Sequence, residues 1–153
     1  MSEPIFRVSA DGEFWPHTWV VYGDLVMSLT REGTVPDHHW ELYIEDLRRP
    51  GIRVVLGFGV GAMSVNSKQR RSAALALHDK RVAAVLNSSV ARGIATAFSW
   101  LGLQLRSFAF SESQVLDAFT YLDSAYLSPE EGLELSERLL AKSGAPPIAE
   151  LTV

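Results

Sequence analysis

The run Trp19-Val20-Val21-Tyr22-Gly23-Asp24-Leu25-Val26-Met27-Ser28-Leu29-Thr30 decides the fold class. Two strand-like apolar runs flank the dipeptide Gly23-Asp24. Glycine at the first position of a two-residue loop suits a type II′ turn, whose twist matches that of paired strands. The stretch therefore predicts an antiparallel hairpin. Upstream, Ile5 to Ser9 alternates apolar and polar residues and stops at the turn dipeptide Asp11-Gly12. The N-terminal part thus reads as a short meander.

Downstream the period changes. Thr34-x-x-Asp37 resembles a capping box with Pro36 in the first turn. Trp40, Tyr43, Ile44 and Leu47 follow at helical spacing, so the pattern predicts a helix from Val35 to Arg49. Pro50-Gly51 ends it, and Arg53 to Leu56 reads as a buried strand. Gly57 to Gly61 reads as a loop, and Asn66 to His78 as a helix with Ala73, Ala74 and Leu77 inward. Val82 to Leu86 is the next strand. Asn87-Ser88-Ser89 offers caps for a helix from Val90 to Leu101, closed by Gly102. Gln104 to Ala109 is the following strand. Ser111-x-x-Gln114 opens a helix carrying Val115, Leu116, Phe119 and Leu122. Ser128-Pro129-Glu130-Glu131 is the clearest helix start in the chain, and that helix runs to Lys142. Gly144-Ala145-Pro146-Pro147 begins a loose tail.

The order β-β-β-α-β-α-β-α-β-α-α predicts an α/β domain. Its sheet is mixed but mostly parallel, with an antiparallel N-terminal hairpin, helices on the sheet and an extra C-terminal helix. No linker divides it, so residues 1–145 form one domain with the added helix at 128–142, and 146–153 form the tail.

Composition narrows the function classes. The chain has 153 residues, 47% of them hydrophobic, and no cysteine. That size supports one core. Without cysteine there is no disulfide scaffold, thiol nucleophile or cysteine zinc site. Fourteen basic against 18 acidic residues give a net charge of −4, which argues against nucleic acid as the main partner. The N-terminus has no secretory pattern, and Ile52 to Ser67 falls short of the about 20 apolar residues that span a bilayer. The expectation is a cytoplasmic protein without stable membrane insertion.

Motifs for chemistry are sparse. Gly57-x-Gly59-x-x-Ala62 imitates a dinucleotide loop between strand and helix. The nearest acid, Asp79, lies before the next strand rather than at its carboxyl end. There is no P-loop, no Gly-x-Ser-x-Gly elbow and no His-Glu-x-x-His. His38, Glu41 and Glu45 share a helix stripe without a complementary set, so a solvated face is expected. His17 and His78 sit at element ends and read as surface groups. Lys68-Gln69-Arg70-Arg71 reads as a solvated basic face. Trp15, Trp19, Trp40 and Trp100 are expected in the core or at an interface. Asn87, Ser88, Ser64, Ser67 and Arg92 fall near the carboxyl ends of parallel strands, where open sheets bind ligands. A serine there either caps a helix or accepts a phosphoryl group, whose charge the helix N-terminus favours.

The residues from Tyr22 to Ser124 resemble a family. Gly23-Asp24-Leu25-Val26, the helix ending at Arg48-Arg49, Arg53-Val54-Val55-Leu56 and the run Val85 to Phe98 are similar to bacterial STAS-related proteins of the SpoIIAA-like, CRAL-TRIO-like kind. The resemblance implies a non-catalytic regulatory or protein-interaction module without a cofactor. It implies a protein partner or a homodimer, and phosphorylation at a serine opening the helix after a central strand. Ser64 and Ser67 occupy that segment, outside the family's usual Asp-Ser-Ser/Thr-Gly surroundings. The alternative is a binder of a small anion, a nucleotide or a lipid.

Overall fold

Gly23 has φ of +59°, the left-handed conformation a two-residue hairpin loop uses. A side chain there would also meet the Tyr126 ring, with a Cβ only 2.4 Å from its Cγ. Tyr22 therefore pairs with Leu25, and the register runs back to His17 opposite Thr30. Asp24 then ties the turn down. Its backbone carbonyl accepts from the amides of Arg53 (2.8 Å) and Val54 (3.1 Å). Its carboxylate accepts from the Ser124 hydroxyl and the Ala125 amide.

The computed structural model describes residues 3–87 and 105–151. Strands are β1 (Ile5–Arg7), β2 (His17–Tyr22), β3 (Leu25–Thr30), β4 (Gly33–Thr34), β5 (Val54–Gly59), β6 (Met63–Ser64), β7 (Arg81–Leu86) and β8 (Leu105–Phe108). Helices among the described residues are α1 (Asp37–Leu47), α2 (Ser67–Leu77), α3 (Glu112–Leu122) and α4 (Pro129–Lys142). A single 3₁₀ turn follows at Ile148–Glu150. The main sheet has the order β1-β2-β3-β5-β7-β8. β1, β2 and β3 pair antiparallel, and β3, β5, β7 and β8 pair parallel. The α/β class, the antiparallel margin and the added C-terminal helix are as the sequence predicts. The helix expected at Val90 to Leu101, with Trp100, lies outside the described residues.

Alternation along the strands sends side chains to two cores. Leu25, Met27, Leu29, Leu56, Phe58 and Val85 meet α3 and α4. Trp19, Val21, Val26, Val55 and Val82 meet α1 and α2. Each helix pair thus covers one face of the sheet, and β3, β5 and β7 are buried on both sides, while the edge strand β8 exposes Arg106 and Ser107.

Several expectations change. The Gly57–Gly61 stretch is not a loop: β5 continues through Gly59, because Gly57 and Gly59 pair with Ala84 and Leu86. Thr34 caps nothing. It pairs with Ser64 in a two-stranded parallel ribbon, β4–β6, which the sequence did not signal. α1 starts at Asp37 without a side-chain cap at Pro36. At α3, Ser111 Oγ accepts from the Gln114 amide, but the Gln114 side chain accepts from Ala109 rather than from Ser111. The Ser128 box is complete. Past α4 the chain does not trail away. Ile148 is fully buried against the α3–α4 core, and its amide donates to Glu137 at 3.0 Å.

Candidate functional site

The carboxyl ends of β3, β5 and β7 carry the residues singled out in the sequence. Past Thr30 and Gly59 the segments that continue β3 and β5 stay together. The Val60 amide donates to the Thr30 carbonyl at 3.0 Å. Gly61 sits so close to Glu32 that a Cβ would lie 2.7 Å from its amide nitrogen. This close approach lets Gly33-Thr34 pair with Met63-Ser64. The Val35 amide then donates to the Ser64 carbonyl at 3.3 Å. Ser64 is exposed on the ribbon.

α2 begins three residues later, at Ser67. Its cap is Asn66, whose side chain accepts from the Gln69 amide, while Gln69 Oε1 accepts from the Asn66 amide. Ser67 is therefore the first helical residue, and it is exposed. Its hydroxyl accepts from Arg70 Nη2 at 3.3 Å. Asn87 follows β7, and its amide nitrogen donates to the Val60 carbonyl at 3.5 Å, a long contact. Ser64, Ser67 and Asn87 thus share one edge of the sheet. Ser88 and Arg92 lie outside the described residues.

Gln69 reads in the sequence as part of a solvated basic face and not as a site residue, although Asn66-x-x-Gln69 is a capping signature. It is buried, and besides its cap its Nε2 donates to the Val35 carbonyl (3.1 Å) and to Asp37 Oδ1 (2.9 Å). Its backbone carbonyl accepts from the Trp40 indole at 2.9 Å. One glutamine therefore fixes the ribbon's exit, the start of α1 and the start of α2 relative to each other.

The glycine motif does not form a phosphate turn. Two of its glycines are inside β5, and β6 intervenes before α2. His38, Glu41 and Glu45 are exposed, as expected for a solvated stripe. No group of three histidine, aspartate or glutamate side chains among the described residues is placed to hold a metal ion. Lys68, Arg70 and Arg71 are exposed on α2, and His78 is exposed at its end.

His17 corrects the sequence reading. It is buried, not a surface group, because β2 starts two residues earlier than the apolar run suggests and faces α1. Its ring stacks on Trp19 (5.0 Å) and meets the edge of Tyr43 (4.3 Å). Burial, aided by the charge of His39, pushes its pKa down to about 3, so it is neutral. Trp19 and Trp40 are core residues as expected, and Trp15 is half-buried against His39 at 4.1 Å.

A second unflagged residue is Asp46. It lies on the apolar stripe of α1 beside Tyr43 and Leu47, which is the signal that marks it. Its buried carboxylate accepts from Trp19 Nε1 (2.8 Å), Arg49 Nε (2.9 Å) and Arg7 Nε (3.0 Å). Burial works to raise its pKa, but the bonds from Arg7, Trp19 and Arg49 outweigh it and hold the carboxyl below its ordinary value. This cluster joins β1, β2 and α1.

No helix among the described residues is long and apolar enough to cross a membrane. Searches with protein-family models, against curated proteins and against solved structures find no match to this chain.

Proposed function

We propose that this protein is a non-catalytic regulatory or protein-interaction module of the STAS-like type, acting in the cytoplasm. Its recognition surface is the carboxyl edge that carries Ser64, Ser67 and Asn87, with Ser88 and Arg92 following in sequence. The observation that supports this most is the strand order. An open α/β sheet binds small ligands where the order reverses and neighbouring crossovers leave in opposite directions. Here β3, β5, β7 and β8 are added in one direction only. No reversal among the described strands opens a crevice, which weighs against the small-ligand alternative. The β4–β6 ribbon instead builds the ends of β3 and β5 outward into an exposed polar rim.

Regulation by phosphorylation centres on Ser67. A phosphate on its hydroxyl would add a charge of about −1.5 to −2 at the first turn of α2. There the helix dipole favours it, and Arg70 already reaches the oxygen. Ser64 lacks both aids and is the weaker candidate. The partner is a protein, either a different chain or a second copy, and neither nucleic acid nor a bilayer.

The test is crosslinking capture from the native host with purified wild type and two alanine sets. One set is Ser64, Ser67 and Asn87; the other is Glu130, Glu134 and Arg138 on the exposed side of α4. Loss of the partner with the first set only is expected. Loss with the second set only would move the surface elsewhere. Native mass spectrometry adds a second arm: a co-purified small ligand would favour the carrier alternative over the interaction module.

A further inference from the structure

Among the described residues, three buried side-chain polar atoms have no hydrogen-bond partner: Trp15 Nε1, His17 Nδ1 and Arg31 Nε. Residues 15 and 17 flank Pro16, whose carbonyl accepts from the Arg31 amide at 2.8 Å. Native proteins pair nearly all such groups. The His17 ring lies in the aromatic core with Trp19 and Tyr43, and the Trp15 ring lies against His39, whereas the Arg31 guanidinium lies beside the exposed Phe14 ring.

Arg31 is the charged member. It follows directly on β3, and its Nη2 donates to the Trp15 carbonyl at 2.9 Å. Its guanidinium lies over the Phe14 ring, 4.5 Å from the centroid. It pairs with no carboxylate among the described residues, although it is only partly exposed. Burial has already lowered its pKa, so the cation has lost part of its hydration without gaining a counter-ion. The carbonyl and the ring hold the guanidinium plane in place, and this lowers the entropic cost of a bidentate contact. Phe14 is 58% exposed and offers an apolar wall beside the charge. An arginine braced in this way against an exposed aromatic has the composition of a binding hot spot.

We propose that this junction is a carboxylate-binding site, in which the Arg31 guanidinium, braced by the Trp15 carbonyl and the Phe14 ring, takes the carboxylate of a small acid or of an acidic side chain. A carboxylate fits better than a metal ion, because Arg31 presents a cation and N–H donors. The site goes beyond the serine-bearing rim and uses none of its residues, so either can fail while the other stands.

The test uses nitrogen-15 NMR of the whole chain, following the Arg31 Nε–H and the Trp15 indole N–H. The probes are succinate, its neutral diamide, a short peptide with one central glutamate, and the same peptide with glutamine. Saturable shifts of the Arg31 signal with succinate and the glutamate peptide, but not with the neutral probes, are expected. Shifts with the glutamate peptide alone support the site and assign it to a protein partner. Shifts with succinate alone support it and assign it to a free acid. Arg31→Gln should weaken binding about tenfold. Arg31→Lys, which keeps the charge but not the fork, should give an intermediate loss. Phe14→Ala should weaken binding while leaving the melting temperature unchanged. Equal shifts with the neutral probes, shifts that survive in Arg31→Gln, or no carboxylate-dependent shift would each overturn the proposal.

Discussion

The Trp19 indole donates to the Asp46 carboxylate at 2.8 Å, across the contact between β2 and α1. Both groups are buried, so each is the other's means of leaving water at low cost. Arg7 and Arg49 complete the carboxylate from the rim and are themselves partly exposed.

Removing the carboxylate should therefore cost far more than removing either arginine. Asp46→Ala is expected to destabilise the fold by about 2–4 kcal/mol, since it strands the indole N–H and both guanidinium contacts. Arg49→Ala should cost about 1 kcal/mol or less, because its side chain is 43% exposed. Urea titrations of the two variants give the comparison, and equal losses would show that the carboxylate has no special role.

Acid should weaken the protein through His17. Its pKa is about 3 in the folded chain against an ordinary 6.5. Between those values the unfolded chain binds a proton that the folded chain refuses. Stability is fully present above pH 6.5 and falls as pH drops toward 3. The slope from this one group is about 1.4 kcal/mol per pH unit. Asp46, whose folded pKa is depressed, acts in the same direction once the pH falls into the carboxylate range. Unfolding free energies from pH 7 to pH 4 should show this slope, and His17→Phe should flatten it.

α3 and α4 approach closely at Gly132. A Cβ there would lie 2.5 Å from the Phe119 ring. Gly132→Ala usually favours a helix, but here it should destabilise by about 1–3 kcal/mol through overpacking. Differential scanning calorimetry would register a lower melting temperature; a higher one would mean that the ring moves freely aside.

Asn66→Ala should cost about 1 kcal/mol by uncapping α2. It should also disturb Gln69, which shares that cap with the ribbon and α1. Amide exchange should then quicken at Val35 and Asp37 as well as in α2. Exchange confined to α2 would show that Gln69 holds the other two elements without its cap.

The elements that could be foreseen are those whose signal is local. The Gly23 turn, the Ser128 box and the helical stripe of Trp40, Tyr43 and Leu47 need no knowledge of distant neighbours. The failures share the opposite cause. Gly57 and Gly59 look like a loop until β3 and β7 are placed on either side of them. Thr34 looks like a cap until Ser64, thirty positions away, arrives to pair with it. His17 looks exposed until α1 covers it. Of the candidate residues, Ser64, Ser67 and Asn87 were visible as residues near strand ends, because strand ends are a local signal. The Arg31 junction was not, since nothing in the sequence near Arg31 announces Phe14 and Trp15.

Ile148, sealed beneath the α3–α4 core, makes the last turn of the chain part of the apolar interior. A chain cut just before residue 148 would lose that side chain together with the amide bond to Glu137. Such a truncation should expose apolar surface between α3 and α4 and raise the binding of an apolar dye, although every strand and helix of the sheet is still encoded.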